Sequence, residues 1–187
     1  MIPARRAKDS DLQSAAKVLA VAFADYPWTR WSIPADGYAN RLEELQRLYL
    51  AHARAHGLVF VDEDVQSVSA FLPPDAPPLE ADVEERVGSL HGDRLSALMN
   101  LALPASPDGA WTLATVGVLP GAQGGGLGSA VIAAGLRVID GGSAPVALET
   151  SNERNVRLYH RHGFSLDATT SVPGGPLVYS MSRPAGG

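Results

Sequence analysis

The sequence predicts an α/β fold, a mixed sheet of about seven strands with helices on both faces. Two observations carry this. Short apolar runs of strand length are interspersed with longer segments whose apolar residues recur at helical spacing. From residue 110 onward the chain repeats strand, helix, strand, helix, strand with brief turns between them. A chain of 187 residues is long enough to bury a full core without staples, and the expectation is one domain over 1–187.

Residues 2–6 read as a short strand. Asp9 or Ser10 can cap a helix whose apolar face is Leu12, Ala15, Ala16, Leu19 and Phe23, and Tyr26-Pro27 stops it. Residues 28–36 hold two tryptophans and two turn signals. A second helix presents Leu42, Leu45 and Tyr49 on one face and ends before Gly57. Residues 58–62 and 66–72 form a strand pair about a tight turn at Glu63-Asp64. Pro73, Pro74, Pro77 and Pro78 interrupt helix and sheet alike. Residues 80–90 and 93–103 then read as helices before a second Pro/Gly stretch at 104–109. The segment 73–109 is therefore a helical, Pro-flanked insertion, since roughly thirty residues are too few for an independent core.

Residues 110–118 are apolar on both faces, as expected of a central strand. A helix from about 126 to 140 buries Leu127, Val131, Ile132, Leu136 and Ile139. A strand at 145–150, a helix at 153–162 and a strand at 164–170 follow. Pro173-Gly174-Gly175-Pro176 turns the chain into a last strand at 177–181.

Composition narrows the function. The net charge is −5 and no segment forms a basic stripe, which excludes an ordinary nucleic-acid binder. There is no cysteine, so disulfides and Cys-based metal sites are excluded. His52 and His56 lie four apart on a helix face but lack a third ligand, and no metal is expected. No apolar run approaches a membrane span, and residues 1–6 lack the apolar core of a signal peptide, so no membrane partner and a cytoplasmic location are the expectation.

The most informative stretch begins at Val116-Gly117-Val118 and runs into Gln123-Gly124-Gly125-Gly126-Leu127-Gly128-Ser129. An apolar strand enters a glycine-rich turn that opens a helix. Such a turn aims several N–H groups and the positive end of a helix dipole at one spot, which suits a pyrophosphate. No Lys-Ser/Thr pair follows the glycines, so this is no P-loop. The glycine register and late position differ from a dinucleotide fold. What remains is a coenzyme A pyrophosphate loop, and the Gln-x-x-Gly-x-Gly spacing resembles motif A of the GNAT acetyltransferase superfamily. Downstream, Asn152, Asn155, Leu158-Tyr159 and Gly163-Phe164 resemble its motif B, with Gly-Phe four and five residues after the tyrosine.

This resemblance implies a GNAT fold, with a mostly antiparallel sheet splayed at the acetyl-CoA site. Acetyl transfer to an amine needs a neutral nucleophile, a stabilised oxyanion and a protonated leaving thiolate. By resemblance, the N–H of Val118 serves the oxyanion, beside a bulge that admits the pantetheine arm. Tyr159 is the general acid that reprotonates the sulfur; the alternative is a core tyrosine with a satisfied hydroxyl. Asn155 and Asn152 are candidates for hydrogen bonds to the donor, though Asn152 equally suits an N-cap. Glu149, at a strand end, is the candidate base, or else a salt-bridge partner of Arg154 or Arg157. His160 and His162 flank the last helical turn, where they favour the dipole over catalysis.

A more particular resemblance spans about 5–183, weakest at 73–109. Ala22-Phe23-Ala24-Asp25-Tyr26-Pro27, Thr29-Arg30, Trp111-x-Leu113-Ala114-Thr115-Val116 and Leu148-Glu149-Thr150-Ser151 are similar to the puromycin N-acetyltransferase group. It implies a small-molecule amine acceptor, aminonucleoside or antibiotic-like, met by Asp25, Tyr26, Trp28 and Trp31. Trp28 and Trp31 depart from that group and would reshape its acceptor pocket. The alternatives are a protein or peptide N-acetyltransferase and a catalytically silent CoA-binding domain. Dimers are common in the superfamily, so the resemblance also allows a homodimer.

Overall fold

The computed structural model describes residues 2–186. In chain order its elements are Ala4–Arg6 (β1), Leu12–Ala22 (α1), Pro27–Ser32 (α2), Tyr38–His56 (α3), Leu58–Asp62 (β2), Ser67–Leu72 (β3), Ala81–His91 (α4) and Leu95–Met99 (α5). Trp111–Val118 (β4), Leu127–Asp140 (α6), Val146–Thr150 (β5), Glu153–His160 (α7), Ser165–Ser171 (β6) and Leu177–Arg183 (β7) follow. The seven strands form one sheet in the order β1-β2-β3-β4-β5-β7-β6. Neighbours run antiparallel except β4 and β5.

Strand alternation sends side chains to two cores. Toward α6 and α7 the sheet buries Phe71, Leu113, Leu148 and Met181, packed with Ile132 and Phe164. Toward α1 and α3 it buries Val59, Val68 and Ala70 beneath Leu19 and Leu50. A smaller cluster joins α3 to α4 through Leu42, Leu45, Val87 and Leu90. The approach of α6 is close because position 135 is glycine: a Cβ there would fall 2.1 Å from the Phe71 ring.

Several local expectations are corrected. Tyr26-Pro27 does not stop the first helix: α1 ends at Ala22 with Phe23 as its C-cap, and Pro27 opens the six-residue α2, as proline at a first helical position does. Neither Asp9 nor Ser10 caps α1. The Asp11 carboxylate instead accepts the Lys8 N–H at 2.7 Å and bonds Arg5 at 2.6 Å. The second helix of the 73–109 segment is only Leu95–Met99. Strand β4 is central, yet Thr112 and Ala114 are exposed on it, because both line a cavity beside the strand.

Candidate active site

That opening arises from register. β4 and β5 pair only at Trp111–Val146 and Thr112–Ala147, then diverge. On its other edge β4 stays paired to β3, with one extra residue at Ala114: Ala70 faces Thr115 while Phe71 faces Leu113. The bulge reverses the alternation of the strand. Trp111 N–H points toward β5, bonding the Pro145 carbonyl at 2.9 Å, and Leu119 N–H points toward β3, bonding Gln66 at 2.9 Å. Counting through the bulge, the N–H groups of Val116 and Val118 face the β5 side, where β5 has already moved away.

The gap continues into a cavity of about 540 Å³. Tyr26 and Trp28 line one side, Tyr49 and His52 of α3 another, and Glu149, Asn155 and Tyr159 the far side. Tyr159 is buried, with its ring edge-on to Phe164 at 5.9 Å. Its hydroxyl makes no hydrogen bond among the described residues. Burial, reinforced by the neighbouring Tyr26, drives its pKa far above the usual phenol value, so it stays protonated. Glu149 points away from the core that takes Val146 and Leu148. The residue is exposed, yet protein crowding the carboxyl raises its pKa through burial. It has no ion pair with Arg154 or Arg157.

Thr150, which the sequence reading passed over, is the hub of the far side. Its Oγ1 bonds the Tyr26 hydroxyl at 2.8 Å and accepts Asn155 Nδ2 at 3.3 Å. The Tyr26 oxygen also accepts the Ser151 N–H at 2.8 Å, and Ser151 Oγ accepts the Trp28 N–H at 3.1 Å. This clasp holds α2 to the end of β5 across 123–125 residues of sequence. Only the position of Thr150-Ser151 at a strand end, next to Glu149, could have signalled it.

The glycine-rich loop lies at the entrance to α6. Gly124 and Gly126 have φ of 84° and 87°, a left-handed backbone that glycine adopts without strain. Gly126 caps α6, whose first helical bond is Ala130 N–H to the Gly126 carbonyl at 3.0 Å, leaving the preceding N–H groups unpaired within the helix. Gly125 and Leu127 complete the turn. A Cβ on Gly128 would crowd Val118 at 3.2 Å, and one on Gly117 would meet Leu19 at 2.6 Å. Gln123 Nε2 donates to the Val118 carbonyl at 3.2 Å, tying loop to strand. Ser129 Oγ bonds His162 Nε2 at 3.1 Å. Such a cradle suits an anionic pyrophosphate.

Other candidates lie elsewhere. Asn152 caps α7, accepting the Arg154 N–H at 3.0 Å. Asp25 turns outward to Arg30 at 3.0 Å. Trp31 backs Trp28, ring centroids 5.2 Å apart, and sits against Gly175. The His52 and His56 rings lie 4.8 Å apart, tilted by 50°, and among the described residues no group of three His, Asp or Glu side chains could hold a metal.

Comparison with known proteins agrees with this architecture. The model of the acetyltransferase (GNAT) family matches residues 28–164. A solved structure described as histone acetyltransferase HPA2 and related acetyltransferase from Corynebacterium glutamicum is 25% identical with a TM-score of 0.79, covering 100% of this chain and 98% of that one. The ribosomal-protein-S18-alanine N-acetyltransferase from Escherichia coli is 15% identical at TM-score 0.55, covering 100% and 96%. Mosquito arylalkylamine N-acetyltransferase like 5b is 13% identical at 0.59, covering 98% and 100%. These two share the fold.

Proposed function

The chain belongs to the GNAT family of acetyltransferases, and from that premise we propose that it moves the acetyl group of acetyl-CoA to a primary amine of a small molecule by direct attack. The observation that carries this is the cavity of about 540 Å³ at the β4–β5 gap, where Glu149 and Tyr159 face an aromatic wall from the other half of the chain. Acetyl-CoA supplies the activated thioester. Gln123 and the glycines 124–126 and 128 shape its pyrophosphate site, and the N–H groups of Gly126, Leu127, Gly128 and Ser129 with the α6 dipole supply the positive potential. Val116 and Val118 offer N–H groups to an oxygen gaining negative charge, with Gly117 between them allowing α1 to close behind. Asn155, fixed through Thr150, orients the donor within the gap, while Asn152 serves the helix.

Glu149 accepts the amine proton, aided by its raised pKa, which makes it more basic than an exposed carboxylate. Tyr159, protonated and otherwise unbonded, donates a proton to the departing sulfur. A small acceptor is favoured over a protein because α2, pinned by the Tyr26–Thr150–Ser151 clasp, walls one side of the cavity. The test is release of free thiol from acetyl-CoA across puromycin, polyamines, aminoglycosides, amino acids and a lysine peptide. The enzyme has no cysteine, so a thiol reagent reports product alone. Turnover of a small amine is expected; turnover of the peptide alone would overturn the reading.

A further inference from the structure

The charge inventory of the cavity is short. Among the described residues that line it, Glu149 is the single carboxylate and His52 the single imidazole, with no lysine or arginine. Two acidic groups of the stretch that carries the aromatic wall are engaged outside the cavity: Asp25 pairs with Arg30 at 3.0 Å and Glu44 with Arg86 at 2.7 Å. Asp167 meets Glu149 only in an adjoining pocket of about 30 Å³. The acceptor side is aromatic instead, with Phe23, Tyr26, Trp28 and Tyr49. This wall is braced. Phe23 and Tyr26 lie 5.1 Å apart, and Trp28 rests on Trp31, behind which a Cβ on Gly175 would fall 2.9 Å from the indole. A volume of about 540 Å³ is that of a small organic ligand's site.

Resting on the acetyltransferase reading above, we propose that the acceptor is a monoamine on an aromatic or flat apolar body, its one ammonium addressed to Glu149 and its ring lodged among Tyr26, Trp28 and Tyr49. One carboxylate compensates one ammonium. A second ammonium drawn into the cavity would lose its water without gaining a counter-charge, so polyamines and aminoglycosides are disfavoured. An aromatic body buries large area on the indole and phenol faces, and those faces also attract the cation before it is deprotonated. In the productive step the ammonium N–H bond breaks and its proton passes to a Glu149 oxygen. The electron pair stays on nitrogen as the neutral nucleophile.

The experiment is titration calorimetry on the full chain in the presence of CoA, comparing 4-phenylbutylamine with spermidine, with thiol release run in parallel. The aromatic monoamine should bind at least tenfold more tightly. Trp28→Ala should lose about tenfold of its affinity, and Trp28→Phe should retain most of it, which separates a lost wall from a misfolded site. Equal or tighter spermidine binding, no binding of either amine, or an unaffected Trp28→Ala would overturn the inference. The expected binding order without thiol release would instead sink the proposed acetyl transfer and leave the acceptor class standing. Preferred turnover of spermidine would do the reverse.

Discussion

Replacing Tyr26 by phenylalanine deletes one oxygen and tests what holds the two halves of the site together. The ring, and its packing on Phe23, stays. The lost hydroxyl bonds Thr150 Oγ1 and accepts the Ser151 N–H, both at 2.8 Å. Two such bonds contribute about 0.5–1.5 kcal/mol each, and a donor left unpaired adds a desolvation cost where water cannot reach it. The clasp is half-buried, so a loss of about 2 kcal/mol is expected. For a chain of this size Tm moves about 2–4 °C per kcal/mol, giving a fall of about 4–8 °C by calorimetry. Because Ser151 also holds the Trp28 N–H at 3.1 Å, the acceptor wall loosens with it. Acceptor KM should therefore rise more than kcat falls. A double-mutant cycle with Thr150→Val should show a coupling of about 0.5–3 kcal/mol. Strictly additive losses, or a Tm within about 1 °C of wild type, would refute the clasp.

Tyr159→Phe should lower kcat by about 10²–10³ in thiol-release assays. Its Tm should stay nearly unchanged, since the hydroxyl has no partner among the described residues; wild-type turnover would remove it from the chemistry. Gly126→Asp sets a carboxylate at a φ of 87° beside the anion cradle, and calorimetry should register loss of CoA binding; retained affinity would refute the cradle. Burial lowers the His91 pKa, partly offset by its bond to the Ser32 carbonyl. The unfolded chain then takes up the proton first, so stability is full above about pH 6.5 and declines as pH falls from there through the lower folded value. His162 acts with the same sign, through burial and then Arg161 and Arg183. His91→Gln should therefore flatten the acid slope of Tm against pH in part, and an unchanged slope would count against it.

Periodic signals were legible. The apolar spacing over α1, α3 and α6, and the turn glycines of the loop, specify local structure through short-range sterics and burial. Pro27 is legible too: proline favours a first helical position, and here it starts α2 rather than stopping α1. α5 ends early at Asn100, whose side-chain amide donates to the Ser96 carbonyl at 2.8 Å and so competes with continued helix. The site was less accessible to sequence. Tyr26 and Thr150 meet across 124 residues, and no periodicity encodes that contact. The bulge at Ala114 carries no glycine to mark it, yet it decides which N–H groups face the gap.

The division of the cavity lining between two stretches of chain has an evolutionary consequence. The aromatic wall proposed to hold the acceptor comes from residues 23–49, and the groups proposed to carry out transfer come from residues 116–159. The first stretch contributes no strand to the sheet and is tied to the end of β5 by the bonds of Tyr26 and Trp28 to Thr150 and Ser151. Residues 23–49 can thus be rewritten for a new amine while the transfer chemistry is inherited, provided that clasp is kept. One donor mechanism can in this way serve many acceptors, and exchanging that short stretch between relatives is the direct route to redirecting this enzyme.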